Sequence, residues 1–399
     1  MGEDSEVQIL GRKLHELLEK LGEIEIEGVE ITAEELTLIF QPTLTAAVRP
    51  PVEAAAPKPE AVTQLMEASF TPPIHQYQGQ VVEVQLGATK AEGGSRGKVL
   101  KVGGEKYPPL YGFEGLNPHR PVFAIDIFDM PLTLAKPVRQ HYEDVMDDPG
   151  EWAKKCVEEF GADMVDLNLV STDPGLKDAS PREATKVVEE VLQAVDVPLM
   201  IGGSGNKQKD PLVLEAAAEA AHGERCIING AMLDIDYKRV AEAVKKHGHV
   251  VLSFTSMDIN NQKKLNRLLL DEGLTPEQIV MDPTTAALGY GLEYTFSFME
   301  RMRQAALKGD PELQMPLVGP VSNAWGAREA WLKIEDWGPR EVRGPLWEVV
   351  TATTLLSAGC DIFLMSHPAA LLVMKQLVEC FWGERKAEQN IENWITALG

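Results

Sequence analysis

The chain has 399 residues, 44% of them hydrophobic, and a formal charge of −23 at pH 7. That length exceeds one average domain and fits a large domain of about 250–300 residues plus an appendage. The acidic balance argues against nucleic acid as a partner, because phosphate contacts need a basic face.

Residues 4–21 (DSEVQILGRKLHELLEKL) place leucines at 10, 14, 17, 18 and 21, which predicts an amphipathic helix. IEIEGVEI (24–31) alternates strictly and reads as a short strand pair turning at Gly28. AEELTLIF (33–40) reads as a second helix. Residues 1–42 thus form a small acidic unit, too small for a large core; it either docks on something or trails as a tail. Proline and alanine dominate much of 43–78, above all RPPVEAAAPKPEAV (49–62), which predicts a semi-rigid linker or surface strap. VVEVQLGATKAEGGSRGKVLKVGGE (81–105) holds two alternating runs around a glycine-rich turn. It predicts a β-hairpin with an exposed tip at Gly93 to Gly97.

From residue 121 short apolar runs recur: VFAIDI (122–127), MVDLNLV (164–170), VPLMIGG (197–203), RCIING (225–230), HVVLSF (249–254), IVMD (279–282), MPLVGP (315–320) and CDIFLMS (360–366). Amphipathic segments of helical length lie between them, such as EWAKKCVEEFG (151–161) and PREATKVVEEVLQAV (181–195). Eight strands, each followed by a helix, is the count of an α/β fold of the (β/α)8 TIM-barrel type. That barrel, with its hairpin at 79–105, spans 79–385, and 386–399 form a C-terminal tail. A doubly wound open sheet is the competing architecture.

In such barrels function sits where the strands end and in the loops that follow. Those ends carry Asp126 and Asp129, Asn168, Gly202 to Asn206, Asn229, Thr255 with Asp258 and Asn260, Asp282 with Thr284, Ser322 with Asn323, and His367. Amides and hydroxyls outnumber carboxylates, so a large neutral or zwitterionic ligand suits this face better than a small charged one. Acid–base hydrolysis needs two of Asp126, Asp129 and Asp282 to converge; otherwise each caps a helix or pins a loop. GGSGNKQKDP (202–211) reads as a plain loop or as a phosphate cradle aided by Lys207 and Lys209, without the Walker or full GxGxxG spacing. His367, before Pro368, reads as a helix-start residue. In LGYG (288–291) two glycines flank one aromatic, either as a structural turn or as a close-approach contact with a ligand.

The four cysteines, Cys156, Cys226, Cys360 and Cys380, are never closer than twenty residues, so no local CxxC metal or cluster motif exists. Scattered thiols fit a reducing cytoplasm. No apolar run is long enough for a membrane span, and MGEDSEVQ lacks the features of a signal peptide.

Several long motifs then occur in a recognisable order: GATKAEGGSRG (87–97), KVGGE (101–105), FEGLNPHRPVFAIDIFD (113–129) and DPGEWAKKCVEEFGADMVDLNL (148–169). They are followed by MDINNQKKLN (257–266), DPTTAALGYGLEYTFSFMERMRQAALKGD (282–310) and GPLWEVVTATTLLSAGCDIFLMSHPAA (344–370). In these the sequence resembles the small (delta) subunits of corrinoid iron–sulfur proteins of the acetyl-CoA decarbonylase/synthase (Wood–Ljungdahl) system, over roughly residues 80–375. The resemblance implies a (β/α)8 barrel related to pterin-binding methyltransferases. It implies a heterodimer with a large (gamma) corrinoid iron–sulfur subunit that carries the [4Fe–4S] cluster and shares the corrinoid (cobamide) with this chain. It further implies transient meetings with a methyltransferase and with acetyl-CoA synthase, in anaerobic carbon fixation, and no catalysis by this chain alone. By barrel geometry the residues placed to touch the corrinoid are Asn229, Thr255, Thr284, Thr285, Gly289, Tyr290 and Ser322. An autonomous pterin-dependent methyltransferase and a mainly scaffolding subunit are the alternatives.

Overall fold

In a computed structural model the described residues are 71–72, 74–110 and 117–384. The acidic unit predicted at 1–42, most of the 43–78 linker and the 386–399 tail lie outside them. The predicted hairpin is present: β1 (Val84–Leu86) pairs antiparallel with β2 (Leu100–Val102). Eight further strands follow: β3 (Val122–Phe128), β4 (Met164–Asn168), β5 (Leu199–Gly202), β6 (Ile227–Ala231), β7 (Val250–Phe254), β8 (Ile279–Asp282), β9 (Val318–Pro320) and β10 (Ile362–Met365). After each comes a helix, in order α1 (Pro149–Lys154), α2 (Pro181–Ala194), α3 (Asp210–Ala220), α4 (Tyr237–His247), α5 (Ile259–Asp271), α6 (Leu292–Leu307), α7 (Arg340–Ser357) and α8 (Pro368–Phe381).

The strands form one parallel sheet in the order β8-β7-β6-β5-β4-β3-β10-β9. Its ends meet: Met281 bridges Leu317 in parallel, and the Met281 N–H donates to the Pro316 carbonyl at 2.8 Å. An open doubly wound sheet leaves its edges apart, so the closed barrel stands. Both faces of a parallel sheet are covered, which is why each run reads as continuously apolar. Alternate side chains divide into two cores. Phe123, Ile125, Val165, Leu167, Ile201, Ile228 and Phe363 meet the helices. Val122, Ala124, Met164, Met200, Ile227, Leu252, Val280 and Ile362 fill the interior. Each fully buried aliphatic side chain contributes about 1.5–3 kcal/mol.

The hairpin closes the base, the end from which the strands start. Val84, Leu86 and Val102 join the interior core. Arg225, just before β6, donates from Nε to the Gln85 carbonyl at 2.9 Å. The tip is exposed at Gly93, Ser95 and Gly97, as expected, but one of its residues turns inward. Arg96 within it is only 3% exposed. It pairs with Glu224 at 2.7 Å and donates to the Val195 and Leu192 carbonyls, both at 2.7 Å. A guanidinium in the tip thus fastens it to the end of α2, using carbonyls that a helix C-terminus leaves unpaired.

Candidate functional site at the barrel mouth

The opposite end gathers the strand-end residues. Register pairs Asp126 with Asp166, Asn168 with Gly202, and Gly202 with Asn229 on neighbouring strands. Gly202 makes this convergence possible: a Cβ there would lie 3.0 Å from Asn168 Oδ1 and 3.5 Å from Asn229 Nδ2. Beneath the two amides lie buried carboxyls. Burial, and then the neighbouring Asp166, push the Asp126 carboxyl well above the carboxylate range, while the Ser322 hydroxyl opposes this. Asp166 is also raised by burial, against hydrogen bonds from Asn168 (3.1 Å) and from Asp126. Both carboxyls are thus held toward their neutral forms. One oxygen of each, Oδ1, is buried without a partner. Asp282, at the end of β8, is pushed up to about 7 by burial, although it accepts from the Thr284 N–H at 2.7 Å.

A fourth acid comes from a helix. Glu348 of α7 is fully buried and raised to about 7, despite accepting from the N–H groups of Ser366 and His367 and from the Trp325 indole. The mouth thus holds two buried carboxyls, Asp166 and Glu348, beyond those read from the strand ends. Asp166 was missed although it shares the parity of Met164 and Asn168 and faces Asp126; that parity was the available signal. Glu348 had none, since WEVVT reads as ordinary helix.

The other predicted residues divide by where their polar atoms go. Thr255 is buried and its hydroxyl donates to Gln262 of α5 at 2.8 Å, so it braces the loop rather than facing the mouth. Thr284 holds a left-handed backbone (φ 78°), rare for a β-branched residue, and its hydroxyl donates to the Thr255 carbonyl at 2.9 Å. Thr285 is buried with no partner for its hydroxyl, and its carbonyl accepts from Asn323 at 3.0 Å. Gly289 is open: a Cβ there meets nothing within 4 Å. Tyr290 is 53% exposed and donates to Glu329 at 3.0 Å. The Trp347 indole donates to the Leu288 carbonyl at 3.1 Å, so the loop after β8 is held from two sides. Helix α6 then starts at Leu292.

Three other sequence features resolve as structural. The Asp210 carboxylate accepts from the N–H groups of Ser204 and Gly205 and from the Ser204 hydroxyl, at 3.0, 2.8 and 2.9 Å. An internal carboxylate thus occupies the would-be phosphate cradle. Lys207 and Lys209 pair with Asp234 and Asp178. Asp129 pins the next loop by accepting from the Ser171 N–H at 2.8 Å. His367 is indeed a helix start: its Nδ1 accepts from the Ala369 N–H at 3.1 Å, and burial pushes its pKa down to about 3. Among the described residues no His, Cys, Asp or Glu group of three or more could hold a metal ion, and no helix is long and apolar enough to cross a membrane.

Fold and site together define a (β/α)8-barrel protein whose polar centre is a cluster of buried carboxyls beside two amides. The profile of the CO dehydrogenase/acetyl-CoA synthase delta subunit matches residues 83–335. The chain belongs to that family, as its motifs indicate. Acetyl-CoA decarbonylase/synthase complex subunit delta of Archaeoglobus fulgidus is 53% identical over 354 residues, 86% of this chain and 78% of the relative. The corresponding subunits of Methanocaldococcus jannaschii and Methanothermobacter thermautotrophicus are 48% and 49% identical, over 96% and 97% of this chain and the same shares of their own. Among solved structures, dihydropteroate synthase of Xanthomonas albilineans covers 67% of this chain and 94% of its own, at TM-score 0.47 and 15% identity. The Yersinia pestis enzyme with a sulfonamide drug complex gives TM-score 0.47 at 17% identity, over 67% and 95%.

Proposed function

We propose that the chain is the small subunit of a corrinoid iron–sulfur methyl carrier, whose barrel mouth covers a corrinoid held by a large partner subunit within the decarbonylase/synthase complex. The observation that carries this reading is the rim after β8. Residues 284–289 have small side chains apart from Leu288, Gly289 faces open space, and Tyr290 stands exposed beside them. A corrinoid is a broad ring fringed with amide side chains, and bulky groups on this rim would hold it off. The cobalt it brings would carry the methyl group. The chain's own part is to exclude water and to present amide groups to the ring's fringe. Wide cysteine spacing leaves any [4Fe–4S] cluster to the partner.

The test is reconstitution. The isolated chain should neither retain a corrinoid nor methylate free cobalamin from methyl-tetrahydrofolate. Addition of the large subunit should give a stable complex with cobalt absorbance. Tight pterin binding and turnover by the isolated chain would sink the proposal in favour of an autonomous pterin-dependent methyltransferase. A specific observation favours that second reading: Asp126 and Asp166 each keep one buried oxygen without a partner, beside the amides of Asn168 and Asn229. Such a set suits a planar heterocycle with N–H donors along one edge. Calorimetric titration of the isolated chain with methyl-tetrahydrofolate separates the two.

A further inference from the structure

The segment between β9 and α7, residues 321–339, holds three short helical turns: Val321–Gly326, Arg328–Trp331 and Glu335–Trp337. A strand-to-helix connection in such folds commonly takes about 2–6 residues, so this one carries many extra backbone groups that need partners. Of its residues only Val321, Ala324, Ala327 and Ala330 are buried. Packing this slight leaves the position of the segment to polar contacts.

Beyond residue 327 one side chain supplies most of them. Arg343, in the first turn of α7, is 8% exposed. Its Nε donates to the Glu329 carbonyl, Nη2 to that of Leu332, and Nη1 to that of Gly338 at 3.0 Å. The Trp337 ring lies over the guanidinium, 5.3 Å from Cζ to its centroid. A cation near the start of a helix stands at the positive end of the macrodipole, so helix electrostatics does not account for this arginine. The three carbonyls do. A planar fork with donors on several sides reaches all of them, whereas the single charged point of a lysine does not.

The same face of α7 seats the other loops of the mouth. A Cβ at Gly344 would lie 2.5 Å from Trp325 Cζ3 and 2.8 Å from the Ala330 carbonyl oxygen, so only glycine lets the segment lie this close. Trp347 holds the loop after β8 at Leu288, and Glu348 holds the end of β10 at Ser366 and His367. Positions 343, 344, 347 and 348 share one side of the helix. Glu329 links the two walls of the rim: its carbonyl sits on the Arg343 fork, and its carboxylate accepts from Tyr290 at 3.0 Å.

We propose that Arg343 is a positioning residue for the barrel mouth. By fixing the carbonyls of Glu329, Leu332 and Gly338 it holds the segment after β9 where Glu329 meets Tyr290, and a buried side chain thus sets the shape of an exposed rim. Its effect on function rests on the corrinoid proposed for this mouth.

Arg343→Lys keeps the charge and loses the fork. Amide exchange at Leu332, Trp337 and Gly338, whose N–H groups bond within the segment, should quicken at least about tenfold in the full chain. Exchange across 250–254 of β7 should not change, and the melt should stay cooperative. Well below that melt, corrinoid retention by the heterodimer reconstituted with the large subunit should fall at least about threefold. Arg340→Lys is the control, because within the segment Arg340 reaches only the Trp331 carbonyl, at 3.4 Å, and it should alter neither reading. Unchanged exchange in Arg343→Lys overturns the proposal. Faster exchange with full retention also overturns it, by leaving Arg343 a brace for its own loop. If Arg343→Lys does not fold, Glu329→Ala decides: it leaves the carbonyl on the fork and cuts the link to Tyr290, so retention should fall at least about threefold with the melt unchanged, and full retention sinks the idea. A heterodimer that holds no corrinoid even when unmodified refutes the proposed function instead, and the exchange comparison alone then decides for Arg343.

Discussion

The two ends of the barrel treat buried charge in opposite ways. At the base, charges meet their opposites. Arg96 pairs with Glu224, and Arg303 of α6 donates to Asp361 at 2.6 Å with Glu105 3.5 Å from its other nitrogen. At the mouth, Asp126, Asp166, Asp282 and Glu348 are buried with no cation paired to any of them among the described residues, and burial raises all four. Glu105 at the base is raised by burial and then by Asp361 as well, but there a guanidinium faces it and opposes the shift. Paired charges of this kind hold elements together, whereas uncompensated carboxyls in a cleft mark a place kept for a ligand or a proton. Fold stability should therefore be sensitive at one end and chemistry at the other.

The largest effect should come from breaking the base. Replacing Arg303 by Met leaves Asp361 and Glu105 buried beside an apolar group. The loss should be about 3–5 kcal/mol, read as a fall in the urea midpoint without change of slope. A change below about 1 kcal/mol would mean that the ion pair does not distinguish the two ends.

Next comes pH. The folded pKa of Asp282 is about 7, against an ordinary 3.8, so between these values the folded state holds a proton that the unfolded state releases. Its stabilisation is largest at low pH and is lost as pH rises through 7. From pH 5.5 to 7 this one group should remove about 1.6 kcal/mol. Asp282→Asn should flatten the profile by that amount, as thermal denaturation at the two pH values would reveal. A parallel profile in the variant would place the titration elsewhere.

How the two ends were legible in the sequence differs for the same physical reason. All eight strands were foreseeable, since a parallel strand covered on both faces announces itself locally as an apolar run. VFAIDI and IVMD fall on β3 and β8 with little shift. Asn168, Asn229 and Asp282 could be placed at the mouth because they end such runs. Arg96 could not be read as buried, because its partners lie at 192, 195 and 224 and only the closed fold brings them near. Glu348 was hidden similarly: its acceptor role is set by Trp325, Ser366 and His367, residues from other parts of the chain. Thr255 ends its strand as expected, yet its hydroxyl is turned to α5, a choice made by the buried Gln262.

A smaller effect is expected from Asp126→Asn. The amide keeps the shape and removes a carboxyl whose ionisation burial opposes, so stability should stay constant or rise by up to about 1 kcal/mol. The same change should lower ligand-dependent activity of the assembled complex at least about tenfold if the Asp126 carboxyl is used in proton transfer. Full activity would reduce the pair to a packing feature and erase the contrast between the ends.

The smallest stability change should be at Tyr290. Its hydroxyl bonds to Glu329 at 3.0 Å in an exposed setting, and such a bond contributes little against water. Tyr290→Phe should therefore cost less than about 0.5 kcal/mol, with an unchanged melt. The bond also joins the loop after β8 to the segment between β9 and α7, and so fixes one side of the rim on which the proposed corrinoid would rest. If the ring rests there, loosening the rim should change corrinoid retention by the reconstituted heterodimer severalfold while the fold is untouched. Measuring retention and melting on the same preparation separates these roles: equal retention would leave Tyr290 as a loop anchor alone, and the corrinoid-facing surface would have to be sought across the mouth, beside Asn168 and Asn229.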